Sequence, residues 1–195
     1  MPTLTIIAGA NGAGKSTLTK LIADDILLID PDAIAKEIDP INPSSVAIAA
    51  ARQALILCKQ YILSDYSFTV ETTLSGNTYL SLMREVKQRG WTVELIYIGI
   101  INANINVLRV SDRVKLGGHD VPRSDILRRY ERSLNNLSKA AKIVDKLTLY
   151  DNSTSAGHQL VATRVGGASR HENRAQTVIY MQELPIWIER ANLNL

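Results

Sequence analysis

Near the start of the chain, Gly9-Ala10-Asn11-Gly12-Ala13-Gly14-Lys15-Ser16 reads G-x-x-x-x-G-K-S, a P-loop pattern that works only between a strand and a helix. Both flanks fit. The β-branched run Leu4–Ala8 precedes it, and an apolar-periodic stretch from Lys15 to Ala23 follows. Glycines let the backbone wrap so that successive N–H groups converge on phosphate oxygens. The helix opening at Lys15 adds its positive end. In such a loop the lysine reaches the β- and γ-phosphates and the serine hydroxyl ligates Mg²⁺. Gly9, Ala10, Asn11, Gly12, Ala13, Gly14, Lys15, Ser16 and the adjoining Thr17 are therefore the expected contacts of ATP or GTP, with Ser16 on the metal.

Downstream, short β-branched runs alternate with helical stretches, the mark of a parallel sheet covered on both faces. Expected strands are Leu4–Ala8, Ile26–Ile29, Phe68–Glu71, Thr92–Ile98, Leu147–Tyr150 and Gln159–Val165. Expected helices begin at Lys15, at Pro31 behind an Asp30 cap, and at Ser44 or Ser45 running to Leu63. Others are Tyr79–Arg89 before Gly90, Ile105–Leu116 before Gly117-Gly118, Arg123 to Lys142, and Asn173–Glu183 before Pro185. Together these define an α/β, P-loop kinase-like three-layer fold with about 5–6 mainly parallel strands and a small helical lid. The length of 195 residues fits one domain. Its lid spans about residues 109–132, and a docking tail covers about residues 166–195 with Trp187 as a packing anchor.

Composition narrows the class. A net charge of +3 lacks the clustered excess of a nucleic-acid binder. The single cysteine, Cys58, cannot form an internal disulfide and lies in an alanine-rich helix, which favours a reducing cytoplasm. No sequence run approaches the roughly 20 apolar residues of a membrane span, so no membrane role is expected.

A P-loop does not say where the phosphate goes. In open α/β sheets, ligands sit beyond the carboxyl ends of the strands, and two acidic clusters fall there: Asp30-Pro31-Asp32 and Glu71-Thr72-Thr73. Transfer to an alcohol needs a carboxylate to orient the hydroxyl and take its proton, and Asp32 is the candidate base. Alternatively, Asp32 answers a helix dipole and Asp30 is only an N-cap. Glu71 serves the metal and substrate, or pairs with a structural cation. Between residues 109 and 132 lie Arg109, Arg113, Lys115, Arg123, Arg128, Arg129 and Arg132, around Gly117-Gly118-His119. They form either a closing lid that complements developing phosphate charge or a solvated basic face. His119 touches substrate or caps the turn. His158 and His171 show no partner in the sequence.

In this order, Gly9–Thr17, Asp30–Ala35, Glu71–Gly76, Arg109 through Pro122, Ile126–Leu137 and Tyr150–Ser153 resemble the zeta-toxin-like P-loop kinases. The resemblance covers about residues 3–165. It implies a kinase whose toxin branch phosphorylates a sugar hydroxyl of UDP-N-acetylglucosamine and is silenced by a small antitoxin. Carried over by position, Asp32 matches the catalytic acid and Lys15 the phosphate-binding lysine. Glu71 and Thr72 match the substrate-side segment. Arg113 and Arg128 match the phosphate-clamping arginines, with register open between Arg128 and Arg129. Arg123 stands where relatives carry an acid. The expectation is therefore a phosphotransferase acting on a small hydroxyl acceptor. The contrasting reading is a nucleotide-dependent switch with slow hydrolysis and a protein partner.

Overall fold

A computed structural model describes residues 1–22, 27–118, 120–166 and 176–195. The chain runs β1 (Thr3–Ala8), α1 (Lys15–Ile22), β2 (Leu28–Ile29), α2 (Pro31–Ile38), a 3₁₀ turn (Pro43–Val46) and α3 (Ala47–Leu63). It continues with β3 (Phe68–Thr72), α4 (Thr78–Gln88), β4 (Thr92–Gly99), α5 (Ala103–Lys115) and α6 (Arg123–Ala141). The last elements are β5 (Lys146–Asp151), β6 (Gln159–Val165), β7 (Gln176–Ile179) and α7 (Ile186–Arg190). The sheet has seven strands in the order β2-β3-β1-β4-β5-β6-β7. The first five are parallel, and β6 and β7 add antiparallel.

Burial follows from this order. β3 is buried at Phe68, Thr69, Val70 and Glu71 in succession, and β1 and β4 hide Leu4, Ile6, Ile7, Val93, Leu95, Tyr97 and Ile98. Near-continuous burial means cover on both faces, as parallel sheets require. Each fully buried Val, Leu, Ile or Phe among these side chains contributes roughly 1.5–3 kcal/mol. Because β2 and β3 lie to one side of β1 and β4 to the other, the crevice opens at the carboxyl end of β1, where the phosphate loop starts.

The expected sheet of 5–6 strands is one short, and the difference lies in the tail. Of the helix expected over Asn173–Glu183, residues 173–175 fall outside the described set, and Gln176–Ile179 is an edge strand paired with β6. Thr177, Val178 and Ile179 are β-branched and suit a pleated edge better than a helix. The serine cap expected for α3 is also replaced. Pro43 opens a 3₁₀ turn headed by Asn42, and the Ser45 hydroxyl donates to the Asn42 carbonyl at 2.8 Å. At α5, Asn102 caps from outside, accepting from Asn104 N at 2.8 Å, so the helix begins at Ala103 rather than Ile105.

Taken together, the 3₁₀ turn and α3 (Pro43–Leu63) are long and apolar enough to cross a membrane by length and composition, contrary to the sequence expectation. Here α3 packs on α2 and sends Ala50, Ala54, Cys58 and Ile62 into the core. Burial pushes the Cys58 thiol up to about 12, so it stays a protonated packing group.

Candidate active site

The phosphate loop is clamped from outside. Gly14 has φ 95°, and a Cβ there would come within 2.5 Å of Asn152 Nδ2. That amide, at the end of β5, donates to the Ala13 carbonyl at 2.8 Å. His158 Nε2 lies 3.1 Å from the Gly14 carbonyl. Any side chain at position 14 would therefore displace the Asn152 clamp and strain the backbone. Gly14→Ala is expected to weaken ATP binding by about tenfold or more, as read by titration calorimetry.

From the opposite side, the buried Asn106 on α5 donates to the Asn11 carbonyl at 2.6 Å, and Arg129 on α6 reaches Asn11 Oδ1 at 3.3 Å. Asn11, itself buried, thus joins the loop to both helices carrying the cleft's arginines.

Lys15 Nζ donates to the Gly9 and Ala10 carbonyls at 3.0 and 3.3 Å. Burial lowers its pKa, opposed by the negative charges of Glu71, Asp32 and Asp30. An anionic phosphate arriving at Nζ would offset that desolvation. Glu71, at the end of β3, is 3% exposed and takes both hydroxyls of the first turns of α1. Ser16 Oγ donates at 2.9 Å and Thr19 Oγ1 at 2.6 Å. Glu71 thus holds both hydroxyls while its charge also acts on Lys15.

Asp30 is the N-cap of α2, accepting from Asp32 N at 2.9 Å with Pro31 in the first turn. It also lines the cleft. Burial raises its pKa, and the nearby Glu71 charge raises it further. Asp32 faces the same cavity.

Two cavities meet at the loop. One of about 520 Å³ is lined by Gly12, Gly14, Lys15, Ser16, Thr17, Lys20, Lys36, Arg109, Arg113 and Asn152. The second, about 290 Å³, is lined by Asn11, Lys15, Ser16, Asp30, Pro31, Asp32, Ala47, Ala51, Glu71, Thr72, Thr73, Ser75 and Arg129. Lys15 and Ser16 belong to both. The first is basic, and the second is acidic and rich in hydroxyls.

The loop that floors the second cavity is held under strain. Leu74 has φ 55°, a conformation costing a non-glycine residue roughly 1–3 kcal/mol. Asn136 on α6 secures it by donating to the Leu74 carbonyl at 2.9 Å, and Thr72 Oγ1 accepts from Leu74 N at 3.0 Å.

The two adjacent arginines part company. Both pair with Asp125, Arg128 at 2.8 Å and Arg129 at 3.5 Å, but Arg128 is half exposed and Arg129 also lines the second cavity. Of the two positions left open by the sequence, Arg129 is the one that lines the cavity. Helix α6 buries Ile126, Tyr130, Ser133, Leu134 and Leu137. At about 100° per residue this places Arg128 roughly opposite the buried stripe and Arg129 at its border. Arg113 lines the first cavity, and Arg109 donates from the same wall to the Asn152 carbonyl at 2.7 Å. Arg123 reaches Asn104 Oδ1 at 3.2 Å, tying the starts of α5 and α6. His119 and His171 lie outside the described residues. Sequence reasoning missed Asn106, Asn136 and His158 as parts of the site. The hint for Asn106 is an amide between Ile105 and Val107 on a helix; Asn136 and His158 carry none.

No group of three or more metal-ligating side chains occurs among the described residues. A Mg²⁺ ion, which keeps waters and phosphate oxygens in its shell, needs no such cage. The hard oxygens of Ser16 and Glu71, 2.9 Å apart, suit it.

Strand order, glycine-rich loop and the two cavities that meet on it define a P-loop fold with its cleft at the carboxyl end of β1. The profile of the zeta toxin family matches residues 1–183, and the chain belongs to that family. An uncharacterised protein of Haemophilus influenzae is 42% identical over 123 residues, covering 63% of this chain and 88% of its own length. Among solved structures, the AvrRxo1-ORF1:AvrRxo1-ORF2 complex with sulphate ions superposes with TM-score 0.74 at 16% identity, over 100% of this chain and 66% of that one. The same pair with ATP gives TM-score 0.67 at 18% identity, covering 86% and 60%. The PezAT toxin–antitoxin system of Streptococcus pneumoniae gives TM-score 0.56 at 18% identity, covering 77% and 68%. This chain thus spans just under two thirds of the AvrRxo1 structures it resembles.

Proposed function

We propose that the protein transfers the γ-phosphoryl group of ATP or GTP to a hydroxyl of a sugar nucleotide, with UDP-N-acetylglucosamine as the leading acceptor. The observation that carries this reading is the sharing of Lys15 and Ser16 between a basic cavity and a smaller acidic, hydroxyl-lined one. Nucleotide occupies the first, with Arg113 over its phosphates. The acceptor occupies the second, where Thr72, Thr73 and Ser75 match a polyhydroxylated ligand. Asp32 accepts the proton as the acceptor oxygen attacks the γ-phosphorus, and the bond to the β-phosphate oxygen breaks to release the diphosphate. Lys15 and Arg129 stabilise charge on the moving group. Ser16 and Glu71 would hold Mg²⁺, which when bound neutralises the β- and γ-phosphate oxygens. The PezAT toxin–antitoxin system among the structural relatives supports a small antitoxin as protein partner. One reduced, buried cysteine supports a cytoplasmic location.

The test is direct. Incubation with Mg²⁺, ATP and a panel of UDP-sugars is expected to yield one sugar nucleotide carrying an added phosphoryl group, identified by mass spectrometry. Slow ATP hydrolysis with no phosphorylated acceptor from that panel or a metabolite extract, joined to nucleotide-dependent capture of a protein, would establish a switch instead.

A further inference from the structure

Helix α7 follows the residues matched by the family profile, which end at 183. Its Trp187 is completely buried. The ring lies over the end of β4 so closely that a Cβ on Gly99 would fall 2.1 Å from it, and it packs beside Tyr97 at 5.8 Å between centroids. Packing alone would need no polar contact, yet the indole N–H donates to Asp151 Oδ1 at 2.8 Å.

Asp151 is the last residue of β5, beside Gly99 in the sheet register. Its carboxylate organises the next turn, taking Ser153 Oγ at 2.6 Å and Ser153 N at 3.2 Å. Ser153 Oγ in turn accepts from Ile101 N at 2.8 Å. Between these two residues stands Asn152. Its side chain holds the phosphate loop at the Ala13 carbonyl, and its own carbonyl holds Arg109 of the nucleotide cavity. A buried, charge-assisted bond in such a chain restricts the carboxylate to one orientation.

We infer that Trp187 is a positioning residue for the nucleotide: its N–H orients Asp151, which sets the turn that presents Asn152 to the phosphate loop and Arg109. The segment carrying α7 is thereby part of the nucleotide site without touching the nucleotide. Arg190 braces the same helix against α6, bonding Glu131 at 2.6 Å and lying over the Tyr130 ring. The inference rests on the cradle binding ATP and is independent of which acceptor is used.

Trp187→Phe keeps an aromatic ring but removes the donor. By calorimetry, the folded variant's ATP affinity should fall roughly fivefold or more. Ser153→Ala, which leaves the indole in place and breaks the chain further along, should lose a similar factor. Asn152→Leu should lose more. The deciding measurement is the combination of Trp187→Phe with Asn152→Leu. Residues acting through one another are non-additive, so the double variant should lose less affinity than the product of the two single losses. Independent losses that multiply would overturn the inference, as would wild-type affinity in both Trp187→Phe and Ser153→Ala. If Trp187→Phe does not fold, the same cycle with Ser153→Ala decides. Wild-type protein unable to bind ATP would overturn this inference and the kinase reading together.

Discussion

Asp32→Asn is expected to lower kcat for phosphoryl transfer by about a thousandfold while leaving ATP affinity within about threefold. Asp32 lines the acceptor cavity and is absent from the nucleotide cavity lining. Its replacement therefore removes a proton acceptor without removing a phosphate contact. Asparagine keeps the size and can still orient a hydroxyl, but it cannot take the proton. The loss corresponds to about 4 kcal/mol of transition-state stabilisation. The first turn of α2 should survive, because its cap is the Asp30 side chain, bonded to the backbone N–H of residue 32. Calorimetry with ATP and steady-state transfer assays on the acceptor found in the UDP-sugar panel separate the two effects. Undiminished transfer by Asp32→Asn would move the base elsewhere, with Asp30 and Glu71 the remaining carboxylates in that cavity.

Arg129→Ala is expected to reduce kcat by about a hundredfold, near 3 kcal/mol, whereas Arg128→Ala should change it by less than about threefold. The contrast follows from placement. Arg129 enters the cavity that holds Asp32, Ser16 and Lys15, and it bonds the phosphate loop through Asn11 Oδ1. Arg128 holds Asp125 on the outer face, an exposed pair of the kind worth little. Stability should be almost unaffected in Arg128→Ala, checked by thermal melting. If Arg128→Ala proved the damaging variant, α6 would have to rotate during turnover, and the arginine assignment would reverse.

These two cases mark the limits of what local pattern can say. The cradle was legible because Gly9 to Ser16 obeys a spacing imposed by backbone geometry and phosphate size, and both are properties of a short segment. Strands β1, β3 and β4 were legible because buried parallel strands must be largely apolar, and β5 and the antiparallel β6 because each is a short apolar run bounded by turn residues. Asp32 and Glu71 were legible as acids at strand ends. Their partners were not, because Ser16, Thr19 and Glu71 meet only when β3 is inserted beside β1. The arginine register turned on the rotation of α6 by one residue. Ile126 is buried with Val110 and Val121 and Leu127 only half-buried, and two adjacent aliphatic residues of equal size do not say which faces inward. The tail was misread because an isolated β-branched run has no strand identity until β6 offers an edge.

The sequence by itself determined that this chain binds nucleotide phosphate on a P-loop, that it builds a mainly parallel α/β sheet, and that acids wait at the ends of β2 and β3. These follow from periodicities and spacings within about ten residues, where the chain has few alternatives. Tertiary structure alone decided that Arg129 rather than Arg128 meets the cleft and that two cavities share Lys15 and Ser16. It also decided that Asn106, Asn136, Asn152 and Trp187 hold the loops in place. Their bonds span separations of 36 to 139 residues. An amide or indole carries no charge to announce its partner, and only packing of the whole chain brings donor to acceptor.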